Sequence, residues 1–500
     1  MSQEPLNEPP NGPLNGLLSG PLDEPLWTLD AMAQAMRAER RGALPRGVSG
    51  ISIDSRSIAA GEAFFAIAGD NRDGHDFVAA ALAAGAALAV VAADQRAKFA
   101  ASAPLLVVPD VLLALRELGQ AARARSQAKF IGVTGSVGKT STKEALRLAL
   151  AGSGETHASV ASYNNHWGVP LSLARCPTTA RYAVLEIGMN HTGEIAALAP
   201  LARPHIAIIT TIEPVHLEFF ASIEAIADTK AEIFRALEPA GAAVLNRDNP
   251  QFARLRDHAR AAGVGRVVSF GEDARADARL IKASLHPECS TVQARILGTE
   301  LAYKLGAPGR HLVHNSLAVL AAASLAGADL ALAALALARL EPAAGRGSRI
   351  TLETPDGPLL LIDESYNANP ASMRAALALL GQAQVGQGGR RIAVLGDMLE
   401  LGPQGPELHR QLRESLLAHG VDVLFCCGVL MRSLWETLPF ERRGGYAETS
   451  ALLEPQVLAA IRPGDALMVK GSLGSRMGRI VKALEGRHSR RAASAAAAQG

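Results

Sequence analysis

Between Lys129 and Leu146 the chain reads KFIGVTGSVGKTSTKEAL. An apolar β-rich run, a loop of glycines, a lysine and hydroxyls, and then a helical segment make a phosphate site, because backbone N–H groups and a helix N-terminus converge on an anion. Thr134, Gly135, Ser136, Val137 and Gly138 supply the loop, Lys139 is placed to reach β- and γ-phosphates, and the Thr140 hydroxyl to ligate magnesium. The spacing departs from the standard phosphate loop, since Val133 stands where the first glycine of G-x-x-x-x-G-K-[ST] belongs. This T-G-x-x-G-K-T variant predicts a nucleoside triphosphate without fixing the reaction: GTPases, kinases and ATP-driven ligases all begin here.

Further polar groups narrow the choice. Glu186 in VLEIGMNHTGEI and His216 in TTIEPVHLEFF each follow a strand-like run, at the tips where ligands of α/β sheets collect. A carboxylate and an imidazole beside phosphates suit divalent metal. Lys230 in IADTKAEIF is either an ordinary solvated helical lysine or, beside metal ions, a lysine converted to a carbamate; the residues alone leave both open. The Asn-Lys-x-Asp element with which GTPases read guanine is missing, VLNRDN being the nearest approach, and a simple kinase needs fewer metal-suited groups.

The elements that must position these residues follow from periodicity. FIGVTG, YAVLEIGM, IAIITTIE, AAVLN and RVVSFG are apolar runs separated by helical stretches, the pattern of a parallel sheet covered on both faces. After a Pro/Gly cluster, EPAAGRGSR, the runs GPLLLIDESY, RIAVLGDM, VDVLFCCG and DALMVKGS repeat the pattern, so a second doubly wound domain is expected. Before Ser126, short strands (GVSGISID, EAFFAIAG, PLLVV) mix with alanine-rich helix. The expected division is a disordered tail 1–26, a small α/β domain 27–126, a central nucleotide domain 127–344 with a mostly parallel sheet, a Rossmann-like domain 345–486 and a disordered tail 487–500.

Five hundred residues exceed one core, and a net charge of +2 shows no global drive toward nucleic acid. The N-terminus has neither a basic n-region nor an apolar h-region, so no signal peptide is expected. Phe77 to Ala93 is too short and too alanine-rich for a membrane span, and Gly85 divides it into helix and strand. Four irregularly spaced cysteines suit a reducing, cytoplasmic setting, with Cys426 and Cys427 as filling of a buried strand.

In order along the chain, TGSVGKTST, SYNNHWGVPLSL, EIGMNHTGEI, TTIEPVHLEFFASIEAIADTKAEIF, PGRHLVHNSLAVLAA, LIDESYNANPASM, LGDMLELG and VKGSLGSRM resemble the Mur ligases, over roughly residues 30 to 485. The resemblance implies three α/β domains: one for a UDP-sugar peptide, a central ATPase, and a C-terminal Rossmann-like domain that brings the incoming amine. It implies ATP-dependent amide-bond formation in peptidoglycan precursor synthesis, joining D-alanyl-D-alanine to UDP-N-acetylmuramoyl-tripeptide through an acyl phosphate, in a cytoplasmic monomer. The alternatives are a sibling that adds a single amino acid and a folylpolyglutamate synthase-like ligase; SYNANP and LGDMLELG favour the dipeptide-adding branch, and no Asp-Asn-Pro-Arg element of the diaminopimelate adder occurs.

By the same resemblance Glu186, His216 and Thr140 hold magnesium, with two ions expected, and Lys230 matches a carbamylated lysine. Asn315 lies near adenine, Arg346 contacts phosphate across the domain junction, and Asp363 contacts ribose. Ser55 and Arg56 in ISIDSRSI face the UDP portion, and Tyr366, Asn367 and Asn369 the substrate. Lys139, Glu186, His216, Lys230 and Arg346 form the implied catalytic set. Glu364 stands where a second aspartate is usual, Asn249 where an aspartate is common, and KGSLGSRMGRIV is a glycine-spaced form of its segment.

Overall fold

The computed structural model describes residues 25–69, 72–160, 162–215 and 217–490. His216 and most of both expected tails therefore lie outside the described residues. The chain divides into two compact units at Ala122/Arg123, inside a helix that runs Val111–Arg125.

The first unit carries a five-stranded sheet with the spatial order Glu39–Arg41, Leu105–Val108, Leu88–Ala92, Glu62–Phe65, Gly50–Ser52, parallel except at Glu39–Arg41. Its core is the buried set Phe64, Val78, Ala89, Val91, Leu105 and Val107. As expected, the stretch after Phe77 splits into helix Val78–Ala83 and strand Leu88–Ala92, and no described helix is long and apolar enough to cross a membrane.

The second unit holds two sheets. In the nine-stranded one, β1 (Lys129–Thr134) lies between β2 (Tyr182–Glu186) and β3 (Ile206–Ile209), with β4 (Ala242–Asn246) beyond β3, all parallel. β1 reads as a continuous apolar run because both faces are covered: Phe130, Ile131 and Val133 are all 0 % exposed. Helix α1 (Lys139–Ala151) leaves the loop after β1, α2 (Ile223–Ala231) follows the β3 connector, and α3 (Arg310–Leu325) packs on the same sheet as α1.

The parallel pattern is not the whole of this sheet. Strands Ala278–Leu285, Ser290–Ile296 and Thr299–Leu305 continue it as an antiparallel meander, which the sequence reading passed over. Its signals were local: STVQARI alternates strictly between buried and exposed, and the two-residue turn Leu297-Gly298 has positive φ at both positions, 48° and 97°, the geometry of a tight hairpin.

The seven-stranded sheet contains β5 (Gly357–Glu364), β6 (Arg391–Gly396) and β7 (Ala466–Lys470), with β7 hydrogen-bonded between the other two and parallel to both. Ser348–Thr354 pairs antiparallel with β5 at one side, so this sheet too gives up the parallel pattern at one end. Helix α4 (Pro370–Gly381) follows β5. Its start is dictated by Asn369, whose side chain accepts from Ser372 N at 2.9 Å while Asn369 N donates to Ser372 Oγ at 3.0 Å, with proline in the first turn. Residues 487–490 are not the disordered tail expected there: Arg487 closes a helix, and Ser489 and Arg490 pair with Glu353 and Leu352. Cys426 and Cys427 are buried in Val423–Cys427, and burial raises both thiols, Cys427 to about 11, which makes them the inert filling expected.

Candidate functional site

The geometry of the site starts from strand register. Glu186, the last residue of β2, pairs with Val133, and Ile209 of β3 pairs with Thr134, so three strand tips end level with the glycine loop. Val133 occupies a fully buried strand position, which is why a glycine is not needed there. The loop itself needs its glycines. Gly135 has φ +143° and a Cβ there would lie 2.0 Å from Thr210 Oγ1; Gly138, with φ +83°, would place a Cβ 2.5 Å from Asn315 Nδ2. Ser136 straps the loop to the β3 connector: its N–H donates to Thr211 O (2.9 Å), its hydroxyl donates to Glu213 O (3.1 Å) and accepts from Glu213 N (2.9 Å). Asn249 secures that connector by donating Nδ2 to Thr211 Oγ1 and Ile212 O, at 3.0 and 2.9 Å. An aspartate, common at this position by the resemblance, has no N–H to give.

These groups open into a cleft of about 800 Å³ lined on one side by Lys139, Thr140, Glu186 and Asn315 and on the other by Arg346 and Tyr366. Lys139 Nζ donates to Gly135 O at 2.8 Å and lies within 3.4 Å of Ser136 O, so the side chain curls over its own loop. Burial holds its ammonium below the ordinary lysine range, Glu186 works in the opposite direction and Arg346 adds to the depression. Glu186 is 1 % exposed, and its two oxygens accept from Thr140 Oγ1 (2.8 Å) and Asn164 Nδ2 (2.7 Å). Lys230, at the end of α2, is 2 % exposed and is pushed well below the ordinary lysine range by burial and by Lys139. Lys139 and Arg346 thus meet the buried carboxylate of Glu186 at the loop, an excess of positive charge suited to a polyanion.

Thr140 and Glu186 are hard oxygen donors in mutual contact, which fits a magnesium ion shared with phosphate oxygens. Lys230 as an ammonium does not fit as a ligand, since it would repel the ion; as a carbamate it would offer oxygens.

Other expected residues are placed differently. Asp363 is not among the residues lining the cleft: it is 8 % exposed, with Oδ1 accepting from Ser365 N and Oδ2 from Gly345 N, both at 3.0 Å, so its carboxylate clamps the turn carrying Arg346. Thr134 and Gly135 also lie behind the cleft surface, Thr134 with a buried hydroxyl that has no partner among the described residues. Asn367 and Asn369 line the cleft, with Oδ1 of each accepting from the backbone, of Ala368 and Ser372 respectively. Glu364 accepts from the buried Lys470 at 3.2 Å, and Lys470 also donates to Asn367 O at 2.9 Å. Ser55 and Arg56 belong to the first unit, in the turn after Gly50–Ser52, where Arg56 is paired with Asp54 at 2.6 Å and holds that carboxyl at about 2. Ser162, Asn164 and Glu213 line the cleft and were not singled out from the sequence; SYNNHWGVPLSL carried the first two only as part of the resemblance.

Comparison with known proteins decides the family. Residues 47–123, 133–323 and 346–473 match the profiles described as Mur ligase family, catalytic domain; Mur ligase middle domain; and Mur ligase, glutamate ligase domain. The chain is 32% identical over 459 residues to the UDP-N-acetylmuramoyl-tripeptide–D-alanyl-D-alanine ligase of Escherichia coli, covering 92% of this chain and 98% of that one. The chain belongs to the Mur ligase family. The Rickettsia prowazekii ligase of the same name is 30% identical over 431 residues, covering 86% of this Mur ligase and 94% of its relative. Among solved structures, MurF from Acinetobacter baumannii superposes with a TM-score of 0.77 at 31% identity, covering 92% of this chain and 98% of that one. MurF ligase from Thermotoga maritima in complex with ADP gives 0.70 at 25%, covering 88% and 97%. The three-domain α/β fold of this Mur ligase is therefore that of the MurF structures.

Proposed function

We propose that this Mur ligase joins D-alanyl-D-alanine to UDP-N-acetylmuramoyl-tripeptide at the expense of ATP. The observation that carries the reading is the arrangement of Lys139, Thr140, Glu186 and Arg346 around one cleft, in a chain whose relatives of that name align over nearly their whole length. A carboxylate cannot expel oxide, so it must first be activated. Its attack on the γ-phosphorus makes an acyl phosphate and releases ADP; the dipeptide amine then attacks the carbonyl, and phosphate leaves with the C–O bond electrons. Lys139 and Arg346 hold the charge that builds on the transferring phosphoryl oxygens, and Glu186 fixes the Thr140 hydroxyl beside them. Magnesium, held by Thr140 and Glu186, supplies Lewis-acid charge at those oxygens when bound.

The test is phosphate release from ATP with UDP-N-acetylmuramoyl-tripeptide and, in turn, D-alanyl-D-alanine, D-alanine or diaminopimelate. Release should require the tripeptide and be at least about 100-fold faster with the dipeptide, a discrimination that needs polar groups built for the second residue. Equal rates with a single amino acid would sink the assignment.

Lys230 deepens this reading. Lys230 is buried without an anionic partner among the described residues, and burial together with Lys139 favours its neutral amine, the form that adds carbon dioxide. Mass spectrometry under native conditions in bicarbonate is expected to find a 44 Da adduct on Lys230, and Lys230→Ala to regain activity with short carboxylates. Absence of both adduct and rescue would leave Lys230 a plain buried amine.

A further inference from the structure

We infer that Ser162 is a positioning residue that holds the Arg346 guanidinium beside the phosphate loop before nucleotide arrives. Ser162 Oγ lies 3.1 Å from Thr140 Oγ1 and accepts from Arg346 Nη2 at 3.0 Å. The direction of this chain is fixed by its ends. Arginine only donates and the Glu186 carboxylate only accepts. Thr140 gives its one hydroxyl proton to Glu186 Oε2 (2.8 Å), so Ser162 must donate to Thr140 and keep its own oxygen free for Arg346. Every link is satisfied, from guanidinium to carboxylate.

Arg346 is held from the other sides as well. Its guanidinium stacks on the Tyr366 ring, 4.1 Å from the centroid. Its turn is locked by Gly345 N on Asp363 Oδ2 and Gly347 N on Asp363 O, and by Gly345 at φ +72°, where a Cβ would meet Tyr366 Cβ at 2.9 Å. Stacking fixes the plane of the guanidinium but leaves it free to slide across the ring. The hydrogen bond to Ser162 removes that freedom and sets the cation three hydrogen bonds from Glu186, by way of Ser162 and Thr140. A terminal phosphate entering over Lys139 meets a cation already in place, so the reorganisation cost at that step falls. The segment SYNNHWGVPLSL contains Ser162 but gives it no role, because its partners come from residues 140 and 346, on either side of the cleft.

The inference rests on the nucleotide reading of the loop and not on the identity of the acceptor, so its test uses binding alone. Titration calorimetry with magnesium would compare ADP with a non-hydrolysable β,γ-imido analogue of ATP. Ser162→Ala is expected to weaken the analogue about tenfold, the scale of one hydrogen bond to a charged group, and to change ADP less than about twofold. Ser162→Thr, which keeps the hydroxyl, should restore the analogue, and the double variant with Arg346→Ala should bind it no worse than Arg346→Ala alone. Equal losses for ADP and analogue, or additive losses in the double variant, would overturn the inference and make Ser162 a support of the loop in general. A wild-type chain that binds neither nucleotide would overturn the nucleotide reading itself, and this inference with it.

Discussion

Replacing Lys139 by alanine is expected to lower ATP-dependent ligation by about 10³-fold, the scale for one preorganised charge at a transferring phosphoryl group, while the protein stays folded. The side chain contributes little to stability: it lies along the cleft, and among the described residues its Nζ bonds only carbonyls of its own loop, at Gly135 and Ser136. Those bonds hold the ammonium over the anion site without a carboxylate neutralising it directly, and burial keeps its charge costly until phosphate arrives. Lys139→Ala should therefore unfold within a few degrees of the wild type and fail in initial-rate phosphate release with all substrates present. Lys139→Arg should recover little, because a planar fork cannot follow the curl back to the Gly135 carbonyl. Retention of more than a tenth of the wild-type rate by Lys139→Ala would mean that the loop does not hold the phosphate that is transferred.

How well the sequence revealed this site depended on how local each signal was. The loop was legible because strand, glycines, Lys-Thr pair and helix are contiguous, and Val133, read as a departure, proves to be a fully buried position inside the strand, one residue before its end. Asn369 followed by Pro370 carried a helix-start signal that was read as substrate contact, although one of its oxygens serves as the cap. The clamp made by Asp363 was hidden for a different reason. A strand-end aspartate looks the same in sequence whether it faces a cleft or turns back to clamp a backbone, and only the approach of Gly345 settles which. Ser162 and Glu213 were invisible for the same reason, since their roles come from residues far along the chain. The meander at Ala278–Leu305 carries its own signal, an alternation of period two, which differs from the apolar runs separated by helices that mark the parallel strands.

Glu186 offers a way to separate charge from shape in the same cleft. Its carboxylate accepts from Thr140 on one oxygen and Asn164 on the other, and its own N–H donates to Ser159 Oγ at 3.3 Å. Glutamine keeps the volume but presents one acceptor and one donor to two groups that are both donating here. In Glu186→Gln the Asn164 amide can rotate to offer its oxygen, so the shape of the wall should survive. The loss is then chiefly of negative charge beside Thr140. If that charge holds a divalent ion shared with nucleotide phosphates, Glu186→Gln lowers kcat by about 10²- to 10³-fold and shifts half-maximal activation to higher magnesium concentration. Asn164→Ala provides the contrast: it removes a hydrogen bond and leaves the charge, so its magnesium dependence should stay near that of the wild type while kcat falls less. If Glu186→Gln and the wild type show superimposable magnesium curves, the carboxylate acts only by orienting Thr140, and the metal must be held elsewhere.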